Sequence, residues 1–471
     1  MRRTTELHGE LGALADIELG WWLLAGGAAV AETLRAPSRY VISDAEPWAD
    51  TFIGHAVPSG DLVRRAIARA HAARLALREL DGRLPEQPLA VSLKRTPAGA
   101  IAERSALDVA AFAIGDRAWW ATLADEPSRE HDLAADLAVA IAGGTPRAMR
   151  SIGHGATPFV TVTLGDEPAA VARHGHRRGW HGGEPGSDAG RGPWLGLARA
   201  GGMDIASTCH MAVDGYGHAW LSGRIAELAD ELAPRVASTD VRSAPAPSVV
   251  AGVIPLGVAW RALSGPAPRA LPLAYALGRV LHREVGRGDA RFSPTLQIPV
   301  APGRLDDPER RLRRVVQALT SVRFDAGAVE SFESFEARTL DVLAREADGR
   351  GLVSRLLAAA RVAPLPLVWK RRAVGLSRPR WMWLDRLADV VGGRGCLSKI
   401  RVDAAVPPSC AVSSPARMTT DGDPLGACVV TLIDDGVRSA LTVCGSGFVG
   451  TDALAEAVLQ ELLDTSAPRA P

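Results

Sequence analysis

The alternation of apolar and polar positions divides this chain into short strand-like and longer helix-like stretches in a recurring order. Pro158-Phe-Val-Thr-Val-Thr-Leu164 alternates cleanly and predicts a strand. Shorter stretches at Tyr40–Ser43, Trp194–Ala198, Ile205–Cys209 and Thr295–Val300 predict further strands, with Pro299 near the end of the last. A 3.6-residue period appears over 62–80, where Leu62, Val63, Ala66, Ile67 and Ala70 share one side and Ser59-Gly-Asp61 supplies a cap. The other side carries Arg64, Arg65, Arg69 and Arg74 and is expected to face solvent. Helices are also predicted at 105–124, 130–142, 218–228, 271–285, 308–320 and 329–346. Near the end, Ala427–Ile433 and Ser439–Cys444 predict two strands joined through Asp434-Asp-Gly436, and a helix follows over 451–463.

Between Thr239 and Pro272 the composition shifts to Ala, Pro, Ser and Gly, which marks a boundary between two halves. The expected organisation is an N-terminal subdomain over 1–240, a Pro/Ala-rich linker over 241–270 and a C-terminal subdomain over 271–471. The turn after Ile205–Cys209 and the turn after Ser439–Cys444 occupy the same strand–turn–helix position in the two halves, which points to an internal duplication.

The most informative spacing lies in that first turn. Cys209-His210-Met-Ala-Val-Asp214-Gly215 places an imidazole and a carboxylate four positions apart between a strand and a helix. An imidazole, with an ordinary pKa near ~6.5, can take a proton from a thiol, hydroxyl or amine at neutral pH. A carboxylate across a tight turn can brace the loop, and Gly215 lets the chain turn into the helix.

These residues resemble the HxxxDG signature of the chloramphenicol-acetyltransferase-like superfamily. Its members include the core of 2-oxo acid dehydrogenase complexes, condensation domains of peptide synthetases, plant-type alcohol acyltransferases and wax ester synthases. Many members carry a second histidine before the first; Cys209 takes that place here. The resemblance implies an α/β (α+β) fold of two chloramphenicol acetyltransferase-like subdomains, each a mixed sheet with flanking helices, with an active-site tunnel between them. It also implies that His210 is the general base, that Asp214 is structural and that no metal is needed. The co-substrate would be an acyl-CoA or phosphopantetheine thioester, with no tightly bound cofactor, and the partners a small-molecule acceptor and an acyl carrier protein. Ala411-Val-Ser413-Ser414-Pro415 is loosely similar to the Ser-Asn-Val-Pro-Gly-Pro stretch of wax ester synthases. A hydroxyl at Ser413 or Ser414 can hydrogen-bond an oxyanion, although both serines are first expected in a loop. The alternatives are a 2-oxo acid dehydrogenase acyltransferase core and a non-catalytic binding or scaffold module. In the former the motif lies near the C-terminus, whereas here more than half of the chain follows it.

Composition narrows these readings. A 471-residue chain with 47% hydrophobic and 23% charged residues has the balance of a globular protein with sizeable cores. The net charge of +1 gives no basis for nucleic acid binding. Five cysteines without a CxxC pair argue against a disulfide framework or a zinc site. The apolar run over 19–31, with Trp21 and Trp22, is too short to cross a bilayer and is expected as a buried helix; a cytoplasmic location follows as the expectation.

Three stretches admit a second chemistry. His174, His176 and His181 lie in a glycine-rich segment over 173–193 that is expected to be a surface loop, because no cysteine or carboxylate set completes a metal site. The Arg/Trp-rich segment over 351–387 suits an arginine-bearing helix pair, or else a membrane surface or coenzyme phosphates; peripheral membrane contact is not expected. Gly445-Ser-Gly-Phe-Val-Gly450 fits a dinucleotide fingerprint, but too few residues follow for the next strand and its acidic tip. No GxSxG stretch with a partnered histidine supports a serine hydrolase.

Overall fold

The computed structural model describes residues 39–42, 50–56, 60–83, 91–96, 99–104, 107–115, 117–151, 158–164, 191–193, 195–200, 203–209, 215–239, 241, 257–263, 268–284, 294–300, 318–324, 330–347, 394–401, 410–414, 428–434, 439–445 and 451–466. The expected helix at 19–31, most of the histidine-bearing segment and the Arg/Trp-rich segment lie outside these residues.

The first half opens with β1 (Arg39–Ile42), β2 (Asp50–Ala56) and helix α1 (Leu62–Arg83). Strands β3 (Val91–Thr96), β4 (Gly99–Arg104), β5 (Val109–Ile114) and β6 (Arg117–Thr122) follow, then helix α2 (His131–Ile141). The half closes with β7 (Arg150–Ser151), β8 (Val160–Thr163), β9 (Arg191–Pro193), β10 (Leu195–Ala200), β11 (Met203–Cys209) and helix α3 (Gly215–Leu232). The second half runs β12 (Gly257–Leu263), α4 (Ala270–Glu284), β13 (Thr295–Val300), β14 (Ala318–Arg323) and α5 (Phe332–Ala347). It ends with β15 (Arg394–Arg401), β16 (Cys410–Ser414), β17 (Cys428–Asp434), β18 (Ser439–Gly445) and α6 (Thr451–Ser466).

The two halves share one topology. In the first, the strand order β2-β11-β10-β8-β5-β6 forms the body of an eight-stranded sheet; in the second, β12-β18-β17-β15-β13-β14 forms a six-stranded sheet. Numbered within its own half, each order is first, sixth, fifth, fourth, second, third. The directions agree as well: two antiparallel pairs, two parallel pairs, then a final antiparallel pair. A helix follows the first, third and sixth strands in both halves. The duplication expected from one pair of turns therefore extends through both sheets. The fold is mixed α/β, two similar subdomains each with a mixed sheet and flanking helices. Each half has its own apolar core, one built around Ile67, Leu77 and Phe112 and the other around Leu277, Phe335 and Val430.

Two features break the symmetry. Strand β9 leaves the first half's fourth-to-fifth connection and joins β1, β4 and β3 in a separate four-stranded sheet. The matching connection of the second half carries β16, which crosses to the first half and pairs antiparallel with β2. Strand β12 lies inside the stretch over 241–270 read as a linker, yet it belongs to the second sheet.

Several local expectations are corrected. The helix expected over 105–124 is the hairpin β5–β6, closed by a tight turn with Gly115 at φ +59°. A buried strand is apolar on both faces, so its Ala-rich run lacks the alternation that distinguishes a strand from a helix. Of the helix expected over 308–320, residues 318–320 are in β14 instead, and the rest lie outside the described residues. Pro299 pairs only with β14, beyond the residues of β13 that pair with β15, so its missing N–H costs the sheet no bond on that side.

Helix α1 carries the largest correction. Its arginine side does not face solvent: Arg69 and Arg74 are both 4% exposed, because α1 is covered by α2, α3 and the sheet. Its cap is Asp61, whose Oδ1 accepts from the Arg64 amide at 2.9 Å, while the Thr239 amide donates to Oδ2 at 2.8 Å. Burial works to raise the Asp61 pKa, but hydrogen bonds from the Arg64 and Thr239 amides and the Ser238 and Thr239 hydroxyls outweigh it and hold the carboxyl below its ordinary value. Asp61→Ala should cost about 1–2 kcal/mol at neutral pH. With the folded pKa depressed, that contribution is complete above the ordinary carboxylate value of ~3.9 and is lost as pH falls through the folded pKa. Urea midpoints of both proteins at neutral and acid pH check this; a gap that widens in acid would contradict it.

Candidate functional site

Strand β11 leads directly into the HxxxDG residues, and α3 begins at Gly215, the last of them. His210 to Asp214 lie outside the described residues, between these two elements. Interior position fixes β11: it pairs antiparallel with β10 on one side and β2 on the other. Its end also lies beside the second half. Ser414 of β16 is the Cα partner of Asp50, and Asp50 is the Cα partner of Cys209. Ser414 and Cys209 thus sit in one cross-strand row, two strand spacings or ~10 Å apart. Ser413 is opposite Thr51, which is opposite Thr208. Both serines lie on a strand, not in the expected loop, and pairing rather than chain proximity brings them to the end of β11. Strand β16 also contacts β17 and β18, so both halves meet along this edge.

A buried polar network underlies β11. Arg69 of α1 donates to the carbonyls of Ala198 at 2.9 Å and Ile205 at 3.0 Å, the two members of one β10–β11 pair. Arg65 donates through Nε to Asp204 at 2.6 Å and also pairs with Asp230 of α3. Burial pushes the Arg69 pKa down; Asp204 opposes this, the Arg65 and Arg199 charges add to it, and the value falls to about 10, which leaves the group cationic at neutral pH. Burial also works to lower Arg65, but Asp204 and Asp230 outweigh it and its pKa is raised.

On the helix side, His218 is fully buried in the first turn of α3, and its Nε2–H donates to the Ala206 carbonyl at 3.2 Å. One turn later, Ser222 shares a 2.8 Å hydrogen bond with Nε2 of His55 on β2. His55, Asp204 and Arg199 form one cross-strand row. Sequence reasoning placed His218 in the helix without a role and did not single out His55, Asp204 or Ser222. The available signals were the i, i+4 spacings Arg65/Arg69 and His218/Ser222, each of which sets two polar residues on one helix stripe.

Among the described residues, no cluster of three or more His, Cys, Asp or Glu is placed to hold a metal ion, and no helix is long and apolar enough to cross a membrane. The dinucleotide reading of 445–450 fares no better. Strand β18 is antiparallel to both its neighbours, whereas that fingerprint opens a parallel β-α-β unit.

The chain is similar to condensation domains. One solved neighbour is the first condensation domain of the CDA synthetase, 15% identical, covering 95% of this chain and 97% of that one with a TM-score of 0.40. Another is the starter condensation domain of rhizomide synthetase RzmA in complex with C8-CoA, in mutant form, 10% identical over 95% and 96% with a TM-score of 0.44. A third is polyketide synthase associated protein 5 from Mycobacterium tuberculosis, 10% identical over 94% and 98% with a TM-score of 0.43. No protein-family model and no curated relative matches the sequence. At these identities the functional reading rests on the chain's own residues.

Proposed function

We propose that this chain is an acyltransferase that moves an acyl group from a thioester, on CoA or an acyl carrier protein, to a hydroxyl, amine or thiol acceptor. The observation that carries this reading is the position of HxxxDG. It bridges an interior strand and a helix in one of two matching halves, at the sheet end beside which the other half lays β16.

In this reading His210 takes the proton from the acceptor, whose lone pair then attacks the thioester carbonyl. The tetrahedral intermediate collapses with loss of the C–S bond, and the imidazolium returns its proton to the departing thiolate. Asp214 braces the turn, and Gly215 opens the helix. Ser413 and Ser414 are the candidates to donate a hydrogen bond to the oxyanion, since backbone pairing holds β16 at the end of β11. The small-molecule acceptor and the thioester donor are co-substrates, and neither is a resident cofactor. The matching second-half junction, residues 446–450 between β18 and α6, has the same length as 210–214 but carries neither histidine nor acid, so one reaction centre is expected per chain.

Incubation with acetyl-CoA and long-chain acyl-CoA, with and without added alcohols and amines, tests this by release of free thiol. Release that depends on the acceptor, with the acylated product seen by mass spectrometry, is the expected result. Background hydrolysis alone across donors and acceptors would sink the reading.

A further inference from the structure

Because the six-stranded bodies of the two sheets and the helices after their first, third and sixth strands match, positions in these elements can be paired between the halves. The ladders β2–β11 and β12–β18 are both seven pairs long, ending at Asp50–Cys209 and Gly257–Gly445. Helices α1 and α4 follow the first strand of each half, and α3 and α6 follow the last. Counting along them, Arg65 and Arg69 are the fourth and eighth residues of α1; in α4 those places hold Leu273 and Leu277, both fully buried. His218 and Ser222 are the fourth and eighth residues of α3; in α6 they are Leu454 and Val458, 2% and 0% exposed. The cross-strand row of His55, Asp204 and Arg199 becomes Ala262, Ala440 and Ile433.

Seven members of the network under β11, Arg65, Arg69, His55, Arg199, Asp204, His218 and Ser222, thus have an apolar counterpart in the half without the histidine and the acid; the exposed Asp230 does not, its place being taken by Ser466. Leu273, Leu277, Leu454, Val458, Ala440 and Ile433 are all buried, so this fold does not require polar groups at those places. Buried ions and hydrogen-bonding groups cost desolvation that apolar side chains avoid. What they provide is direction. A hydrogen bond fixes how one element sits against another, where apolar contacts tolerate small slips. The fixed points lie on both sides of residues 210–214: Asp204, Ile205 and Ala206 on the strand side, and His218 and Ser222 on the helix side.

We propose that this network is a positioning device, built into one half only, that holds β11 and α3 in the one relation that presents His210 to its substrates. The proposal rests on the acyl-transfer reading for its purpose, but not for its physical content. None of the network residues touches the reacting atoms; they act through the strand and the helix that flank the motif.

Exchanging the network for the residues of the other half tests this. One variant carries His55→Ala, His218→Leu and Ser222→Val; a second adds Arg65→Leu, Arg69→Leu, Arg199→Ile and Asp204→Ala. At least one is expected to melt no lower than the wild type. In that variant kcat should fall by about tenfold or more with KM changed less than about twofold, the sign of an interaction lost between enzyme and transition state. Amide exchange of peptides covering 203–218 should quicken by about tenfold or more without loss of the global fold. His218→Gln, which keeps a side-chain N–H donor, should restore most of kcat relative to His218→Leu. Unchanged exchange and unchanged kcat in a folded variant would overturn the proposal. Failure of both variants to fold would do so as well, by showing that the fold itself needs the network. If the wild type transfers no acyl group, the functional reading fails alone, and amide exchange still decides whether the network holds the junction.

Discussion

His210→Ala should lower acceptor-dependent thiol release by about 10²–10⁴-fold, the contribution of a well-placed general base. The effect should fall on kcat and on kcat/KM together, because proton transfer from the acceptor is made in the transition state and not on binding. The wild-type rate should rise with pH through the range in which an imidazole loses its proton, near ~6.5, and the variant should lose that inflection. Thermal stability should change little, since the sheet and helix on either side are held by their own contacts. Near-wild-type turnover in a folded His210→Ala protein would end the catalytic assignment. Equal loss of activity and of melting temperature would assign His210 to the fold instead.

The largest loss of stability is expected at Asp136. This carboxylate on α2 is 7% exposed and accepts three backbone amides: Arg147 at 2.9 Å, Ala148 at 2.6 Å and Met149 at 2.7 Å. The turn it gathers delivers buried Met149 to the first core and leads into β7 at the sheet edge. Removing the acceptor leaves three amides without their partner, and hydrogen bonds to a charged group are worth roughly 1.5–3 kcal/mol each before the structure relaxes. Asp136→Ala should therefore cost about 3–5 kcal/mol, since each amide that stays buried without an acceptor costs roughly 1–3 kcal/mol and the turn can relax around part of that. Asp136→Asn, which keeps the shape but turns one acceptor into a donor facing an amide, should cost about 2–3 kcal/mol. Urea unfolding with an unchanged m-value is the measurement. A loss below ~1 kcal/mol for the alanine variant would mean that solvent reaches the turn and replaces the carboxylate.

Local pattern carried far for single elements. The strand at 158–164, the hairpin around Asp434-Asp-Gly436, the helix after Cys209 and the cap at Asp61 all formed where apolar period and turn chemistry placed them. It failed where burial on two faces removed the period, as at β5, whose Ala-rich run satisfies helix and strand alike. It also misjudged the arginines of α1. A cation on a helix stripe normally marks solvent, and only the carbonyls of Ala198 and Ile205 with the carboxylate of Asp204 make burial tolerable at Arg69.

By itself, the sequence determined the identity and spacing of His210, Asp214 and Gly215, the strand before them and the helix after them, because these depend on neighbours a few positions apart. Tertiary structure alone decided that the duplication extends through both sheets, that β16 leaves its own half to lie beside β2, and that Arg65, Arg69, His218 and Ser222 have buried apolar counterparts in the other half. The reason is range. Side-chain periodicity records which face of an element is buried, but not which strand will hydrogen-bond its edge. The pairing that brings Ser414 opposite Asp50, 364 positions away, and through it into the row of Cys209, is chosen only when the whole sheet is assembled, and no local pattern spans that separation.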